Sequence, residues 1–449
     1  MAVTNSLFIL PIAVLSLCAV ALVGCEESVN TELQPEVATR PNVILILADD
    51  IGVETIGAYG SEYPTPNIDS IAVNGLRFDE AHATPICTPS RVRLLTGRYN
   101  YKNYVDFAVL PQGEKTLAHH FRDAGYRTLV SGKWQLAGTG DADDPPGTTP
   151  AEAGFDEHLV WYMQRKDKGS RFWGPKLFDN GVERQHPPAD YGPTLVNQRV
   201  IDFIGREDDR PFFIYYSMVL AHKPWVTTPL TPAAEGDKPR FAGMIAYMDL
   251  MVGRVMQTLR ELGLEDDTLV VFVGDNGTHP DITSLRNGVP VRGGKWYTHD
   301  AATHVPLVLQ WPDRVQGNQA SSQLTEILDL FPTVLEAGGI EVPDAADGFS
   351  LAPSFSGAAT GREWVFMKFD PHADYDESLS TRSRFIFDDH WKVYGDGRCY
   401  DLGADYMETV SIDWDTGAAE GCAALAGIMQ NVDSGPFFHE QPGPGLPEH

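Results

Sequence analysis

Four continuous apolar runs, each stopped abruptly by polar residues, constrain this chain more than any other feature. Val43-Ile-Leu-Ile-Leu47 leads into Ala48-Asp49-Asp50, and Tyr126-Arg-Thr-Leu-Val130 into Ser131-Gly132-Lys133-Trp134-Gln135. Phe212 to Val219 leads into Ala221-His222-Lys223-Pro224, and Thr268 to Val273 into Gly274-Asp275-Asn276-Gly277. A strand with one wet face alternates apolar and polar residues. A run without alternation is buried on both faces, as in a parallel sheet covered on each side by helices. Helical patterns lie between the runs, over Thr116 to Ala124, Thr194 to Ile204 and Phe241 to Leu262. In the longest, Ile245, Met248, Val252, Val255, Leu259 and Leu262 recur at steps of three and four, so one face packs on a core. The expected class is α/β, a doubly wound and mostly parallel sheet with helices on both faces.

In such sheets the working groups collect beyond the carboxyl ends of the strands. Asp49, Asp50, Lys133, His222, Asp275 and Asn276 each stand just past one of the four runs. One polar residue at a strand end means little; carboxylates, a lysine and a histidine at four such ends point to one site. Two carboxylates from the first end and an Asp-Asn pair from the fourth make an all-oxygen set, which suits Ca²⁺ or Mg²⁺ better than Zn²⁺. The net charge of −28 leaves no basic stripe, which excludes nucleic acid as a partner. An anionic small substrate stays open, provided cations gather locally.

The termini read differently. Residues 1–24 carry no charged side chain, and Leu7 to Val23 is an apolar run too short for a comfortable membrane span. Leu22-Val23-Gly24-Cys25 resembles the lipobox of a bacterial lipoprotein signal, which implies cleavage before Cys25, lipid on its sulfur, and export to the periplasm or an outer-membrane anchor. Residues 25–40 then form a tether and residues 41–342 the main domain. Pro343 to Arg362, rich in Pro, Gly, Ala and Ser, reads as a linker. Residues 363–449 form a small α+β subdomain with a tail. Its alternating segments, Trp364 to Phe369, Arg384 to Phe387 and Trp391 to Tyr394, suggest an antiparallel sheet. Of five cysteines, Cys18 and Cys25 belong to the proposed signal and Cys87 to the motif below. In an exported protein, Cys399 and Cys422 are left as the pair free to form a disulfide.

Cys87 is the odd one. A lone cysteine is most often a small buried hydrophobe. Here it opens Cys87-Thr88-Pro89-Ser90-Arg91, followed by Leu95-Thr96-Gly97-Arg98. With Pro41-Asn42 to Asp49-Asp50, Thr65-Pro66-Asn67-Ile68-Asp69, Gly132-Lys133-Trp134, His222-Lys223-Pro224, Tyr247-Met248-Asp249, Asp275-Asn276-Gly277 and Gly293-Gly294-Lys295 to Val305-Pro306, this order resembles the type I sulfatases of the alkaline-phosphatase-like superfamily. Each string alone is weak, but their shared order is specific.

The resemblance implies an exported sulfuric ester hydrolase with Cys87 converted to formylglycine by a maturation enzyme. It implies one calcium ion, with magnesium the less expected choice, on Asp49, Asp50, Asp275, Asn276 and residue 87. Arg91 would hold the nucleophile and the helix end, Lys133 and Lys295 would neutralise sulfate oxygens, and His222 would protonate the leaving oxygen. Two positions depart from the family. Gln135 stands where a histidine is usual, and His304 replaces the commoner arginine before Val305-Pro306. Outside the motifs, His279, His299 and His372 are the histidines best placed to line a substrate pocket. Export and an acidic surface favour sulfated polysaccharide or oligosaccharide as substrate. A phosphonate or phosphate ester hydrolase on the same scaffold is the alternative, and a non-catalytic sulfated-glycan binding protein is the third.

Overall fold

The four apolar runs become four adjacent, parallel strands. In the computed structural model, which describes residues 40–141, 145–370, 382–413 and 419–433, the strands in chain order begin with β1 (Asn42–Ala48), β2 (Leu76–His82), β3 (Arg127–Lys133) and β4 (Glu157–Trp161). There follow β5 (Lys176–Asp179), β6 (Val182–Gln185), β7 (Phe212–Ser217) and β8 (Thr268–Gly274), then the hairpin β9 (Thr283–Arg286) and β10 (Val289–Arg292). β11 (Leu307–Gln310) and β12 (Gln319–Glu326) complete the first part of the chain. The main sheet has ten strands in the order β12-β2-β11-β8-β1-β7-β3-β4-β5-β6. From β8 to β4 every neighbour is parallel, whereas β11, β5 and β6 run against the strands beside them.

Side chains alternate along β1, and each set meets its own helical layer. Val43, Leu45 and Leu47 join Phe213, Tyr215 and Val271 beneath the helices Cys87–Thr96, Leu117–Asp123 and Leu330–Ala337. Ile44 and Ile46 join Ile214, Tyr216 and Phe272 beneath Pro66–Val73, Gly192–Ile204 and Asp237–Glu261. That double burial is the reason the runs lack polar interruption. The apolar stripe of the long helix packs into this second core from Ile245 to Leu259, but Leu262 lies past the helix end and is 48% exposed. β3 also outruns its apolar stretch. It continues through Ser131 and Gly132, so that Lys133 is the last residue of the strand rather than one beyond it.

The segments expected near the C-terminus form an antiparallel sheet of β13 (Val365–Phe369), β14 (Ser383–Phe387) and β15 (Trp391–Tyr394). A fourth strand, β16 (Cys399–Asp401), and a helix, Ala419–Val432, join it unannounced by any alternation. Cys399 and Cys422 are disulfide-bonded with their Cα atoms 6.1 Å apart, tying β16 to that helix. Closing a loop of this length contributes about 3 kcal/mol. The described residues from Arg40 onward pack as one unit, and none of their helices is long and apolar enough to cross a membrane. The signal expected over residues 1–24, the tether expected over residues 25–40 except its last residue, Arg40, and His372 lie outside the described residues.

The small sheet bears directly on the motif cysteine. Ile86 and Cys87 share a cluster with Phe107, Val365, Met367, Phe369 and Phe385, so the start of the helix Cys87–Thr96 is wedged between the two sheets. A buried ionic chain reinforces this. Arg93 bonds Glu326, donates to Asn100 Oδ1 at 2.6 Å and reaches the Phe366 carbonyl at 3.2 Å. Arg362 lies 3.4 Å from Glu326 and donates through Nε to Asp329 at 2.6 Å. Removing one member strands a buried charge, so Arg93→Ala is expected to destabilise the fold by about 3–5 kcal/mol. Urea unfolding checks this, and a change under about 1 kcal/mol would show that the network is not what holds the small sheet.

Candidate active site

Local backbone geometry delivers the polar residues to one place. Asp49 and Asp50 follow β1, and Asp275 and Asn276 follow its neighbour β8. The two turns are stitched together: Asp275 N–H donates to the Ala48 carbonyl at 3.0 Å and Asp50 N–H to Asp275 Oδ1 at 3.0 Å. Asp50 adopts a left-handed backbone, φ 60°, which turns its carboxylate off the strand line. Lys133 ends β3 after Gly132, whose φ is +117° and where a Cβ would sit 1.8 Å from the Ser217 carbonyl oxygen. Only glycine lets the two strands approach so closely.

Cys87 is the first residue of its helix, and Arg91 lies one turn along on the same face. Arg91 grips Asp275 Oδ2 through Nη2 at 2.8 Å and Nε at 3.1 Å, and also bonds Ser217. Lys133 Nζ donates to Asp49 at 2.7 Å, and Lys295 Nζ spans both Asp50 oxygens at 2.6 and 2.8 Å. His222 turns Nε2 toward Asp50 at 3.7 Å, while its Nδ1 donates to the Lys223 carbonyl. That bond fixes the tautomer, leaving Nε2 for chemistry. Gln135 Oε1 lies 3.6 Å from Cys87 Sγ. Cys87, Asp49 and Asp275 offer donor atoms within 4.8 Å of one another, as do Asp49, Asp50 and His222. The residues that the shared motifs assign to the site, with Gln135, are therefore in one cluster.

The electrostatics are divided. Burial pushes Asp275 up to about 6 despite Arg91. Burial also acts to raise Asp49 and Asp50, but Lys133, His222 and Lys295 outweigh it and hold both below the usual carboxylate range. Burial drives His222 well below its ordinary value, so the imidazole is neutral near pH 7. Lys295 is also buried, yet Asp50 and Cys87 keep it above its usual value and charged.

The residues fit a hard cation. Asp49 Oδ2 and Asn276 Oδ1 are buried acceptors with no hydrogen-bond partner, although Asn276 Nδ2 is satisfied by Asp50 Oδ1 at 2.9 Å. Buried acceptors rarely go unpaired, and two of them beside Asp50 and Asp275 are what an oxygen-preferring ion requires.

A family profile for sulfatases matches residues 41–340. The chain belongs to the sulfatase family of sulfuric ester hydrolases. A second profile, for the C-terminal part of N-sulphoglucosamine sulphohydrolase, matches residues 294–433. Human arylsulfatase A is 30% identical over 72% of this sulfatase and 69% of its own length. Dog N-acetylgalactosamine-6-sulfatase is 29% identical over 71% of this chain and 66% of its own length, so the chain spans about two thirds of these relatives. Among solved structures, one captured with its substrate D-glucosamine-2-N,6-O-disulfate superposes with a TM-score of 0.72 at 19% identity, over 88% of this chain and 97% of that one. The fold is thus that of the alkaline-phosphatase-like sulfatases.

Of the histidines expected to line a pocket, His279 and His299 lie among the described residues, and each packs against aromatic rings. His279 is held edge-on between Trp225 and Trp296, with centroids 5.4 and 4.9 Å away, and its Nδ1 accepts the Asp281 N–H at 3.1 Å. His299 stacks on Tyr297. His304 is buried against His82 and bonds Asp300 at 3.2 Å and the Asp79 carbonyl at 2.8 Å, a wall-building role. The sulfatase site also holds two residues that motif reading missed. The Tyr162 carbonyl accepts the Gln135 N–H at 2.9 Å, and Arg171 lies 3.9 Å from Asp49. Neither sits in a recurring string, and no spacing signal marks them.

Proposed function

We propose that this sulfatase hydrolyses sulfate monoesters on sulfated carbohydrate, with residue 87 as the nucleophile after conversion to formylglycine and one calcium ion as cofactor. The observation that carries this reading is Cys87 at the head of a helix, beside the carboxylates of Asp49 and Asp275, in a site where Arg91, Lys133, Lys295 and His222 approach the three aspartates. The carbohydrate part rests on relatives and neighbours whose names include N-acetylgalactosamine-6-sulfatase and a glucosamine disulfate complex.

Formylglycine supplies a hydrated aldehyde, one hydroxyl to attack sulfur and a second to expel sulfate afterwards. Asp49, Asp50, Asp275 and Asn276 would hold calcium, which would supply Lewis acidity to the site. The chain's own residues do the rest. Arg91 clamps Asp275 and keeps the helix end positive, which favours an incoming anion. Lys133 and Lys295 are pre-placed charges that turn from Asp49 and Asp50 toward the sulfate oxygens. His222, neutral in the free site, gains a proton when the anion enters and delivers it from Nε2 to the leaving oxygen. Gln135 orients the residue 87 hydroxyls without a basic site to take their protons.

The reading also implies a maturation enzyme acting on Cys87 and, from residues 1–25, export with a lipid anchor on Cys25 to the periplasm or outer membrane. Intact mass and paired aryl esters test the chemistry. The peptide that contains residue 87 is expected to be about 18 Da lighter than its sequence requires. It is expected to cleave an aryl sulfate at least about 10²-fold faster than the matching phosphate. A reversed ratio would assign the scaffold to phosphate or phosphonate esters, and a mature mass without any turnover would make it a glycan-binding protein.

A further inference from the structure

We propose that Arg171 is a further sulfate-binding residue of this enzyme, its free Nη1 reserved for an oxygen of the sulfuryl group; the assignment rests on the sulfatase reading above. Arg171 belongs to the loop between β4 and β5, outside every motif the chain shares with its family. Its guanidinium is fixed on three sides. It lies over Trp161 with 4.2 Å to the ring centroid and 5.4 Å from that of Phe172, and Nη2 donates to the Lys223 carbonyl at 2.8 Å. The fourth side, Nη1, is buried and has no hydrogen-bond partner. It faces Asp49 Oδ2, which is equally unpartnered, across 3.9 Å.

That gap decides the reading. A separation of 3.9 Å is too long for a hydrogen bond. Arg91, in the same site, shows what a closed pair looks like, with 2.8 Å to Asp275. A buried donor left open where a shift of about 1 Å would satisfy it is held for something else. The geometry says what: Asp49, which Nη1 faces, gathers its donor atoms with those of Cys87 and Asp275, so the open nitrogen borders the centre where the ester must sit. A cation liganded by Asp49 would repel Nη1, whereas a tetrahedral oxyanion attracts both. Lys133, Lys295 and His222 approach that anion from the ends of β3, the Gly294 loop and the β7 loop. Arg171 adds a contact from a fourth segment, the loop between β4 and β5 beside Trp161. Gln135 brings no charge to its contact with Cys87, whereas a guanidinium stays charged at every pH the enzyme meets.

Inorganic sulfate is the probe, with binding measured by calorimetry on the matured full chain alongside kcat and KM for an aryl sulfate. Arg171→Gln is expected to weaken sulfate binding about tenfold and to lower kcat/KM about 10²-fold, with an unchanged melting temperature. Arg171→Lys keeps the charge but loses the stacked fork, and is expected to fall between the two. Sulfate binding equal to wild type in both variants would overturn the proposal and make Arg171 a strut between Trp161 and the His222 loop. If Arg171→Gln fails to fold, Arg171→Lys decides: weakening of about threefold or more supports the assignment, and none overturns it. A wild-type protein that binds sulfate yet cleaves no aryl sulfate would overturn the functional reading instead, while the calorimetry still judges Arg171.

Discussion

Cys87→Ala lowers aryl sulfate hydrolysis by at least about 10⁴-fold, because it removes the atom on which the nucleophile is built. Nothing nearby can take its place. The groups around Cys87 Sγ are Gln135, without nucleophilic character, and the carboxylates of Asp49 and Asp275, already engaged by Lys133 and Arg91. The fold should hardly notice, since the exchange removes one sulfur from a cluster otherwise built of Ile86, Phe107, Met367 and other large side chains. Melting temperature and calorimetric sulfate binding are therefore expected to stay near wild type while turnover disappears. Activity within about tenfold of wild type would refute residue 87 as the nucleophile.

Lys295→Ala is expected to lower kcat/KM about 10³-fold, and its value as a test lies in what happens to the metal. Lys295 Nζ occupies both oxygens of Asp50, the carboxylate assigned to the cation. Its removal withdraws one charge that holds Asp50 below the usual carboxylate range, leaving Lys133, itself bonded to Asp49, as the remaining lysine that acts on Asp50. The Asp50 pKa therefore rises, and the metal-free protein loses stability through an unpaired buried charge. Calcium then meets less competition for Asp50. Added calcium should raise the melting temperature of Lys295→Ala more than that of wild type, while turnover stays low. A variant that loses activity only by losing calcium, and regains it when calcium is raised, would make Lys295 a metal-site strut rather than a sulfate ligand.

The central sheet was legible because its code is local. A strand buried on both faces must be apolar along its whole length, and β1, β7 and β8 announce themselves in that way. Short elements carry no such code. β16 has three residues, too few for a period, and its place is set by pairing with β15 and by the bond from Cys399 to Cys422. The end of β3 was misjudged for a related reason. Ser131, Gly132 and Lys133 are polar or small, yet they stay in the strand because β7 and β4 pair with them on either side.

The histidines show the limit most clearly. His279 follows Asp275 by four residues, which is all that the sequence says of its place. Only the structure shows its ring held by Trp225 and Trp296, and the Tyr162 carbonyl bonded to the Gln135 N–H. From the sequence alone came the α/β class, the order of the motifs, and the carboxylates, lysines and histidine that stand at neighbouring strand ends. Those follow from residue type and spacing, which the chain carries within a few positions. Only the tertiary structure decided that Arg93 is locked to Glu326 and Arg362, that His304 braces His82 and Asp300, and that Arg171 enters the site. Each of these rests on partners brought together by sheet pairing and helix packing: Lys223 lies 52 positions from Arg171, and Glu326 lies 233 from Arg93. Contacts at such separation leave no period in a single sequence, because what selects them is the packed volume around them.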